Sequence, residues 1–259
     1  MSILLTPATA HKTHFFFEWA AIFIGAWLYR RLRRQRQAEG IFQGTTYLIT
    51  MGCILGAAVG NKLVFWIEFA DKIPSLIQGM MSGDKNSWLM LFSGQSIVGG
   101  FLGGLLGVEW AKKIVGVTRS TGDDFVLPLI VGTIIGRMGC FLAGLNDGTY
   151  GIATTLPWGI DFGDGITRHP TQIYDMLFAA LWGGVLWFNR AKLAPQAGLM
   201  FKLYLAGYLI WRLCVDGIKP MPYVYPLGLS GIQWVCIVAL LIYLPLTVSQ
   251  FRQLKTSTS

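Results

Sequence analysis

The chain has 259 residues, of which 53% are hydrophobic and 13% are charged, and its formal net charge is +8. Soluble domains carry about 25% charged residues, so this composition argues against a soluble enzyme and predicts a membrane protein. Most of the cations lie in short links between apolar segments, which is typical of membrane topology, and we therefore expect no nucleic-acid partner. No polar stretch is long enough for a second core, so we predict a single transmembrane domain over residues 1–259.

Seven apolar segments are long enough to cross a membrane as helices, which predicts an all-α, polytopic protein. They lie at 15–29, 46–69, 88–109, 125–145, 171–189, 198–218 and 229–248. The N-terminal residues lack the charged start and small-residue cleavage site of a secretory signal, so we expect the first segment to remain in the mature protein. Seven crossings would place the two termini on opposite sides of the membrane.

The Lys and Arg residues outside these segments are distributed unevenly between the two sides. One side carries twelve of them, namely Arg30, Arg31, Arg33, Arg34, Arg36, Lys112, Lys113, Arg119, Arg190, Lys192, Arg252 and Lys255. The opposite side carries five, namely Lys12, Lys72, Lys85, Arg168 and Lys219. Because cationic links stay in the cytoplasm, this asymmetry predicts an N-terminus outside and a cytoplasmic C-terminus.

Four cations stand inside the apolar segments: Lys202 lies near the inner end of its segment, and the other three are Lys62, Arg137 and Arg212. A charged side chain in the bilayer costs at least roughly 2.5–3.5 kcal/mol, so it is rarely kept without a task. In the predicted threading all three lie nearer the outer face, with Arg137 roughly 10 Å from the outer end of its helix at 1.5 Å per residue. They predict a site for an anionic lipid headgroup. The alternative is that the side chains extend to the interface, as we expect for Lys202 at the inner end.

Helical spacing groups further residues with these cations. Arg212, Asp216 and Lys219 stand at i, i+4 and i+7, which places them on one face of the sixth helix. Asp216 can neutralise either cation, although a buried ion pair can also serve only to hold helices together. The glycines repeated over 99–107 in the third helix predict a seam for close helix packing.

A polar loop at about 146–170 is predicted on the outer side. Its Asn-Asp-Gly and Gly-Asp-Gly sequences are turn signals, which is the ordinary interpretation of the aspartates there. His169 enters the membrane interface on the same side as Arg137 and Arg212, and histidine titrates near neutral pH. It is therefore a candidate catalytic residue, with a structural histidine as the alternative.

The four cysteines, Cys53, Cys140, Cys214 and Cys236, all fall in apolar stretches. They show no CxxC spacing and have no histidine nearby in the sequence. This pattern predicts buried, inert thiols and argues against a disulfide framework or a zinc site. We expect neither a metal nor an organic cofactor.

Five segments resemble the motifs of the prolipoprotein diacylglyceryl transferase family. Residues 136–144 (GRMGCFLAG), followed by Tyr150-Gly151, are similar to its signature. Residues 169–175 (HPTQIYD) resemble HPSQLYE, and 208–219 resemble YGxxRFxxExxR. Residues 228–234 resemble GLSxGQW, and 96–100 occupy the place of SxHGG. The order of these motifs agrees with the family along nearly the whole chain.

This sequence also departs from the family pattern at several positions. The histidine of SxHGG is Val98 here, and the asparagine of GRxGN is Cys140. Three milder changes are Asp216 for Glu, Lys219 for Arg and Lys62 for the Arg often found in the second helix.

The resemblance implies transfer of a diacylglyceryl group from phosphatidylglycerol, or another anionic phospholipid, to a cysteine thiol of a secreted pre-lipoprotein, with glycerol phosphate leaving. It implies a multi-pass protein of the bacterial inner membrane that acts in lipoprotein biosynthesis. Arg137 and Arg212 are the candidates for stabilising the leaving phosphate. With Val98 in place of histidine, the thiol base could be His169 or Asp216, or a lowered pKa of the thiol could make a base unnecessary. The expected substrate-binding residues are Lys62, Gly99, Gly100, Cys140, Gln172, Tyr174 and Lys219.

Two other functions are compatible with the sequence. The same fold with altered catalytic positions could be a lipid-binding or transport protein without transferase activity. It could also be a related transferase that uses another acceptor, such as a small thiol, with Cys140 in a covalent role.

Overall fold

The computed structural model describes residues 7–37 and 43–258, and within these ranges nearly all regular structure is helical. The α-helices are α1 (Pro7–Gln35), α2 (Gly44–Glu68), α3 (Ile73–Met81), α4 (Lys85–Ser93), α5 (Ile97–Val115), α6 (Val126–Ala143), α7 (Thr171–Phe188), α8 (Arg190–Leu193), α9 (Leu199–Val215) and α10 (Gly231–Thr258). Two short antiparallel strands, β1 (Ile160–Asp161) and β2 (Thr167–Arg168), lie between α6 and α7. The chain divides into two compact units.

The first unit comprises the described parts of 1–38 and 245–259 together with residues 120–220. In it α1 packs along α6, α6 contacts α7, and α7 contacts α9. The start of α9 is fixed by Asp123, whose carboxylate accepts hydrogen bonds from the backbone N–H groups of Gly198 and Phe201. Leu205 and Leu209, one turn apart on α9, are fully buried and belong to its core-facing side.

The second unit comprises the described part of 39–119 and residues 221–244. Its α2 and α5 pack through two facing glycine stripes. The stripe on α5 contains Gly99, Gly103 and Gly107, and the stripe on α2 contains Gly52, Gly56 and Gly60. A Cβ atom added at Gly56 would lie 2.3 Å from the carbonyl oxygen of Gly103, so only glycine permits this approach of the two backbones. The predicted close-packing seam is confirmed.

The third predicted segment, 88–109, is not one helix, and this prediction was wrong. Two helices, α4 and α5, meet there at an angle of 65°. The backbone of Gly94 is extended, and the side chain of Ser96 accepts a hydrogen bond from the N–H of Gly99, which caps the start of α5. The ammonium of Lys62 donates to the carbonyl oxygens of Phe92 and Gly94, so it satisfies backbone groups that the break exposes.

The other six predicted segments coincide with helices α1, α2, α6, α7, α9 and α10. Three helical stretches are long and apolar enough to cross a membrane, namely Gly44–Glu68, Gly122–Asp147 and Gly231–Leu254. The bent pair Lys85–Phe92 and Ile97–Val115 supplies a fourth if it forms one span. An all-α membrane protein is therefore the class that fits the described residues.

The loop predicted at about 146–170 contains β1 and β2. Asp161 forms the turn between the strands, because its carboxylate accepts hydrogen bonds from the N–H groups of Gly163, Asp164 and Gly165. Gly151 lies so close to His169 and Ile218 that an added Cβ would approach the Ile218 carbonyl oxygen to 2.8 Å. This close approach explains the glycine of the Tyr150-Gly151 pair.

Candidate functional site

Five charged side chains in the first unit form the feature that we call the arginine cluster: Arg137, Asp175, Arg212, Asp216 and Lys219. The Oδ2 atom of Asp175 lies 2.9 Å from Arg137 Nε, 3.7 Å from Lys219 Nζ and 4.0 Å from Arg212 Nη1. Arg212 Nη2 donates to Asp216 Oδ1 at 2.6 Å, which confirms the pairing expected from their spacing. The helices α6, α7 and α9 each contribute one of these side chains, and the other two, Asp216 and Lys219, follow the end of α9.

The arginine cluster has more positive than negative charge. Three cations face two carboxylates, which leaves one net positive charge among side chains that are almost completely buried, with 7% of Arg137 and 5% of Arg212 exposed. Nε and Nη1 of Arg212 are buried and have no hydrogen-bond acceptor among the described residues. A buried N–H group without an acceptor is costly, so these donors favour an anion at this position.

The sequence predicted Lys219 on the same helix as Arg212, but the residue lies beyond the end of that helix. The helix α9 ends at Val215 and is followed by a short 3₁₀ turn over Asp216–Ile218, so Lys219 is the first residue beyond the helix, with extended backbone. Burial, together with the neighbouring Arg212 guanidinium, lowers the pKa of the Lys219 ammonium to about 7. This residue can therefore lose its charge near neutral pH, which an arginine at the same position would not do.

Gln172 lies on α7, three residues before Asp175 and thus on the same side of the helix. It is fully buried, and both its amide nitrogen and its amide oxygen lack a hydrogen-bond partner among the described residues. Buried polar groups in proteins are nearly always paired. The unpaired amide is thus a second indication that a polar ligand binds along this face of α7.

His169 and Tyr174 contact each other where the loop joins α7. His169 Nδ1 lies 3.2 Å from the Tyr174 hydroxyl, which also accepts a hydrogen bond from Trp158 Nε1 at 2.8 Å. The backbone N–H of Gly151 donates to the His169 carbonyl, and that of the following residue donates to the carbonyl of Ile218, next to Lys219. Residues 151–152 of the loop therefore run between His169 and the Lys219 end of the arginine cluster.

The tip of the loop is held by an ion pair between Arg168 and Asp164. Both terminal nitrogens of Arg168 donate to the Asp164 carboxylate at 2.7 Å. These hydrogen bonds lower the pKa of the Asp164 carboxyl to about 2 and raise the pKa of Arg168. Because Asp164 is exposed, we interpret this ion pair as a local stabilisation of the turn.

Three predicted substrate-binding residues, Lys62, Gly99 and Gly100, belong to the second unit. Lys62 binds the backbone carbonyls at the break between α4 and α5, and Gly99 belongs to the packing seam with α2. A Cβ atom at Gly100 would meet no other atom within 4 Å, so this glycine faces open space. Val98, at the position of the family's histidine, is buried with 1% of its surface exposed.

The prediction that all four cysteines are buried is only partly confirmed. Cys140 and Cys236 are buried and Cys53 is half-buried, but Cys214 is exposed, so the prediction of four buried thiols was wrong for that residue. Cys140 also has a histidine close by in space. His14 on α1 approaches it, together with Asp147 from the turn that follows α6.

The residue most clearly missed by sequence reasoning is Asp175. Its carboxylate contacts three cations and accepts a hydrogen bond from Trp211 Nε1 at 2.7 Å, and only 4% of its surface is exposed. The signal was an acidic residue inside an apolar segment, which is as unusual as the arginines inside the apolar segments that contain Arg137 and Arg212.

Comparison with known proteins agrees with the motifs. The model of the prolipoprotein diacylglyceryl transferase family matches residues 10–249. The chain belongs to this family. Proteins named phosphatidylglycerol–prolipoprotein diacylglyceryl transferase are similar to it, including one from Nitratidesulfovibrio vulgaris strain DP4, 32% identical over 75% of this chain and 72% of the relative. A relative from Methylobacillus flagellatus is 34% identical over 71% of this chain and 68% of the relative. A relative from Solidesulfovibrio magneticus is 32% identical over 82% of this chain and 78% of the relative. The predicted resemblance to diacylglyceryl transferases is confirmed.

Proposed function

We propose that this member of the diacylglyceryl transferase family is a multi-pass enzyme of the bacterial inner membrane. It transfers a diacylglyceryl group from phosphatidylglycerol to a cysteine thiol of a prolipoprotein and releases glycerol phosphate. Family membership and the names of its relatives support this proposal. The seven apolar segments of the sequence support seven spans in one transmembrane domain. The uneven distribution of Lys and Arg supports an orientation with the N-terminus and the 146–170 loop outside and the C-terminus in the cytoplasm.

The observation that carries the proposed reaction is the excess positive charge of the arginine cluster. In this reaction the thiolate sulfur forms a bond to the glyceryl carbon while the bond from that carbon to the phosphate oxygen breaks. Negative charge therefore builds up on the departing phosphate, and buried cations oriented in advance stabilise it. The unpaired N–H groups of Arg212 are suited to donate hydrogen bonds to the phosphate oxygens, and a guanidinium can bind two of these oxygens at once.

The acceptor thiol must also lose its proton. Asp216 is engaged in a 2.6 Å bond to Arg212 and is 3% exposed, which makes it a poor proton acceptor for an incoming peptide. His169 is half-buried at the junction of the outer loop and α7, and its ring contact is the hydroxyl of Tyr174. We therefore assign the role of general base to His169, with Tyr174 orienting its ring and Gln172 contacting the lipid headgroup.

The test measures glycerol phosphate release from phosphatidylglycerol and the mass of a peptide acceptor with purified protein in detergent. Arg137→Lys and Arg212→Lys should each lower turnover by about 10²–10³-fold, because an ammonium cannot reproduce the planar guanidinium fork. The matched control is Lys202→Ala, a cation of α9 that donates to Gln250 at 2.8 Å and has no place in the arginine cluster.

The outcomes separate the candidate functions. Equal loss of turnover in all three variants would mean that these cations serve folding. Lipid binding without glycerol phosphate release by the unaltered protein would favour a non-catalytic lipid-binding or transport role. Release that depends on a small thiol but leaves the peptide unmodified would favour a transferase with another acceptor.

A further inference from the structure

A second group of chemically active side chains lies at the end of α6, beside Arg137 of the arginine cluster. A ring nitrogen of His14, the Sγ atom of Cys140 and a carboxylate oxygen of Asp147 all lie within 4.8 Å of one another. They come from α1, from α6 and from the 3₁₀ turn Gly144–Asp147, and all belong to the first unit. The fold thus brings an imidazole, a thiol and a carboxylate together.

His14 and Asp147 form a short ion-pair contact in which the ring nitrogen lacks ideal hydrogen-bond geometry. Nδ1 of His14 lies 2.8 Å from Oδ1 of Asp147, yet this buried nitrogen has no partner with hydrogen-bond geometry among the described residues. The other carboxylate oxygen of Asp147 accepts a hydrogen bond from the hydroxyl of Thr149. This hydrogen bond fixes the orientation of the carboxylate, as residues that hydrogen-bond to metal ligands commonly do.

The donor types and the charge balance fit a divalent cation of the zinc class. A thiolate and a carboxylate supply two negative charges, and imidazole nitrogen and thiolate sulfur are ligands that zinc prefers over magnesium or calcium. The charge of Arg137 is paired with Asp175, whose Oδ2 lies 2.9 Å from Arg137 Nε, so the carboxylate of Asp147 is not the counter-ion of this arginine. Its Nη1 lies 3.9 Å from Cys140 Sγ, and a nearby guanidinium favours the thiolate that a metal requires.

The dimensions are compatible with a shared ion. Ligand atoms bound to zinc at about 2.0–2.3 Å in tetrahedral geometry lie roughly 3.5 Å apart, so atoms at most 4.8 Å apart must approach each other by no more than about 1.3 Å. The His14 side chain is 35% exposed, which leaves a route to the site. We propose that His14, Cys140 and Asp147 bind one divalent cation of the zinc class through three protein ligands, with a fourth coordination position open.

The test uses the full chain without a polyhistidine tag, purified in detergent, stripped with a chelator and incubated with Zn²⁺ or Co²⁺. After desalting, elemental analysis should find about one metal ion per chain. His14→Gln, Cys140→Ser and Asp147→Asn should each lose most of it. The matched controls, His11→Gln on the exposed side of α1 and Cys214→Ser at the exposed thiol, should retain it.

The cobalt form gives a readout that does not depend on any variant. Thiolate coordination produces a near-ultraviolet sulfur-to-cobalt charge-transfer band, which the unaltered protein should show and Cys140→Ser should lack. The proposal is overturned if the unaltered protein shows no such band, or if Cys140→Ser binds as much metal as the unaltered protein. If a ligand variant does not fold, the cobalt spectrum of the unaltered protein decides the question.

Discussion

Lys219 makes the charge of the arginine cluster dependent on pH. Its pKa of about 7 means that the ammonium is about 90% charged at pH 6 and about 10% charged at pH 8. The charged form is present below this pKa and is lost as the pH rises through it. The net charge of the cluster therefore falls from +1 towards zero. If the cluster binds the phosphate of the donor lipid as proposed, this loss of charge weakens the attraction.

If the charged form carries the activity, kcat/KM for phosphatidylglycerol should fall about tenfold between pH 6 and pH 8 through this residue alone. The acceptor thiol ionises over the same range and raises the rate as the pH increases, so a raw profile would hide the effect. Lys219→Arg removes this difficulty, because arginine stays charged throughout while the thiol behaves identically in both proteins.

The measured quantity is the ratio of kcat/KM of the unaltered protein to that of Lys219→Arg, from glycerol phosphate release at several pH values. We expect this ratio to fall about tenfold from pH 6 to pH 8. In Lys219→Met, which is uncharged at every pH, activity should be low, and the unaltered protein should approach it at high pH. A ratio that is constant with pH would refute the assignment of a titrating Lys219.

Two further predictions rest on the structure, and a third rests on the distribution of Lys and Arg in the sequence. Asp175→Asn leaves three buried cations without their shared carboxylate, so it should lower the free energy of unfolding by about 3–5 kcal/mol in a denaturation experiment in detergent. Asp164→Asn, which removes the exposed ion pair with Arg168, should change this free energy little. Gly56→Ala should destabilise the second unit by about 1–3 kcal/mol, whereas Gly100→Ala, whose Cβ has free space, should not. Equal thermal stability of the two variants would contradict the close packing of α2 against α5. A reporter fused after Ser259 should be active only in the cytoplasm, and activity on the outer side would contradict the threading.

The sequence by itself determined where helices form and which motifs the chain shares with its family. Hydropathy is a local property, so it located helices at six of the seven predicted segments and failed only where Ser96 begins a new helix. The pairing of Arg212 with Asp216 was also predictable, because residues four apart on a helix face the same side. The glycine repeat of α5 indicated close packing in the same way.

Only the tertiary structure decided which distant residues meet. Asp175 is shared by cations of α6 and α9, and Gly52, Gly56 and Gly60 were not recognised as the partner stripe of the seam. His14 and Cys140 are far apart in the chain, so their spacing carried no signal of a common site. The physical reason is that helical periodicity specifies which face a residue occupies, whereas the packing of the helices specifies what that face contacts.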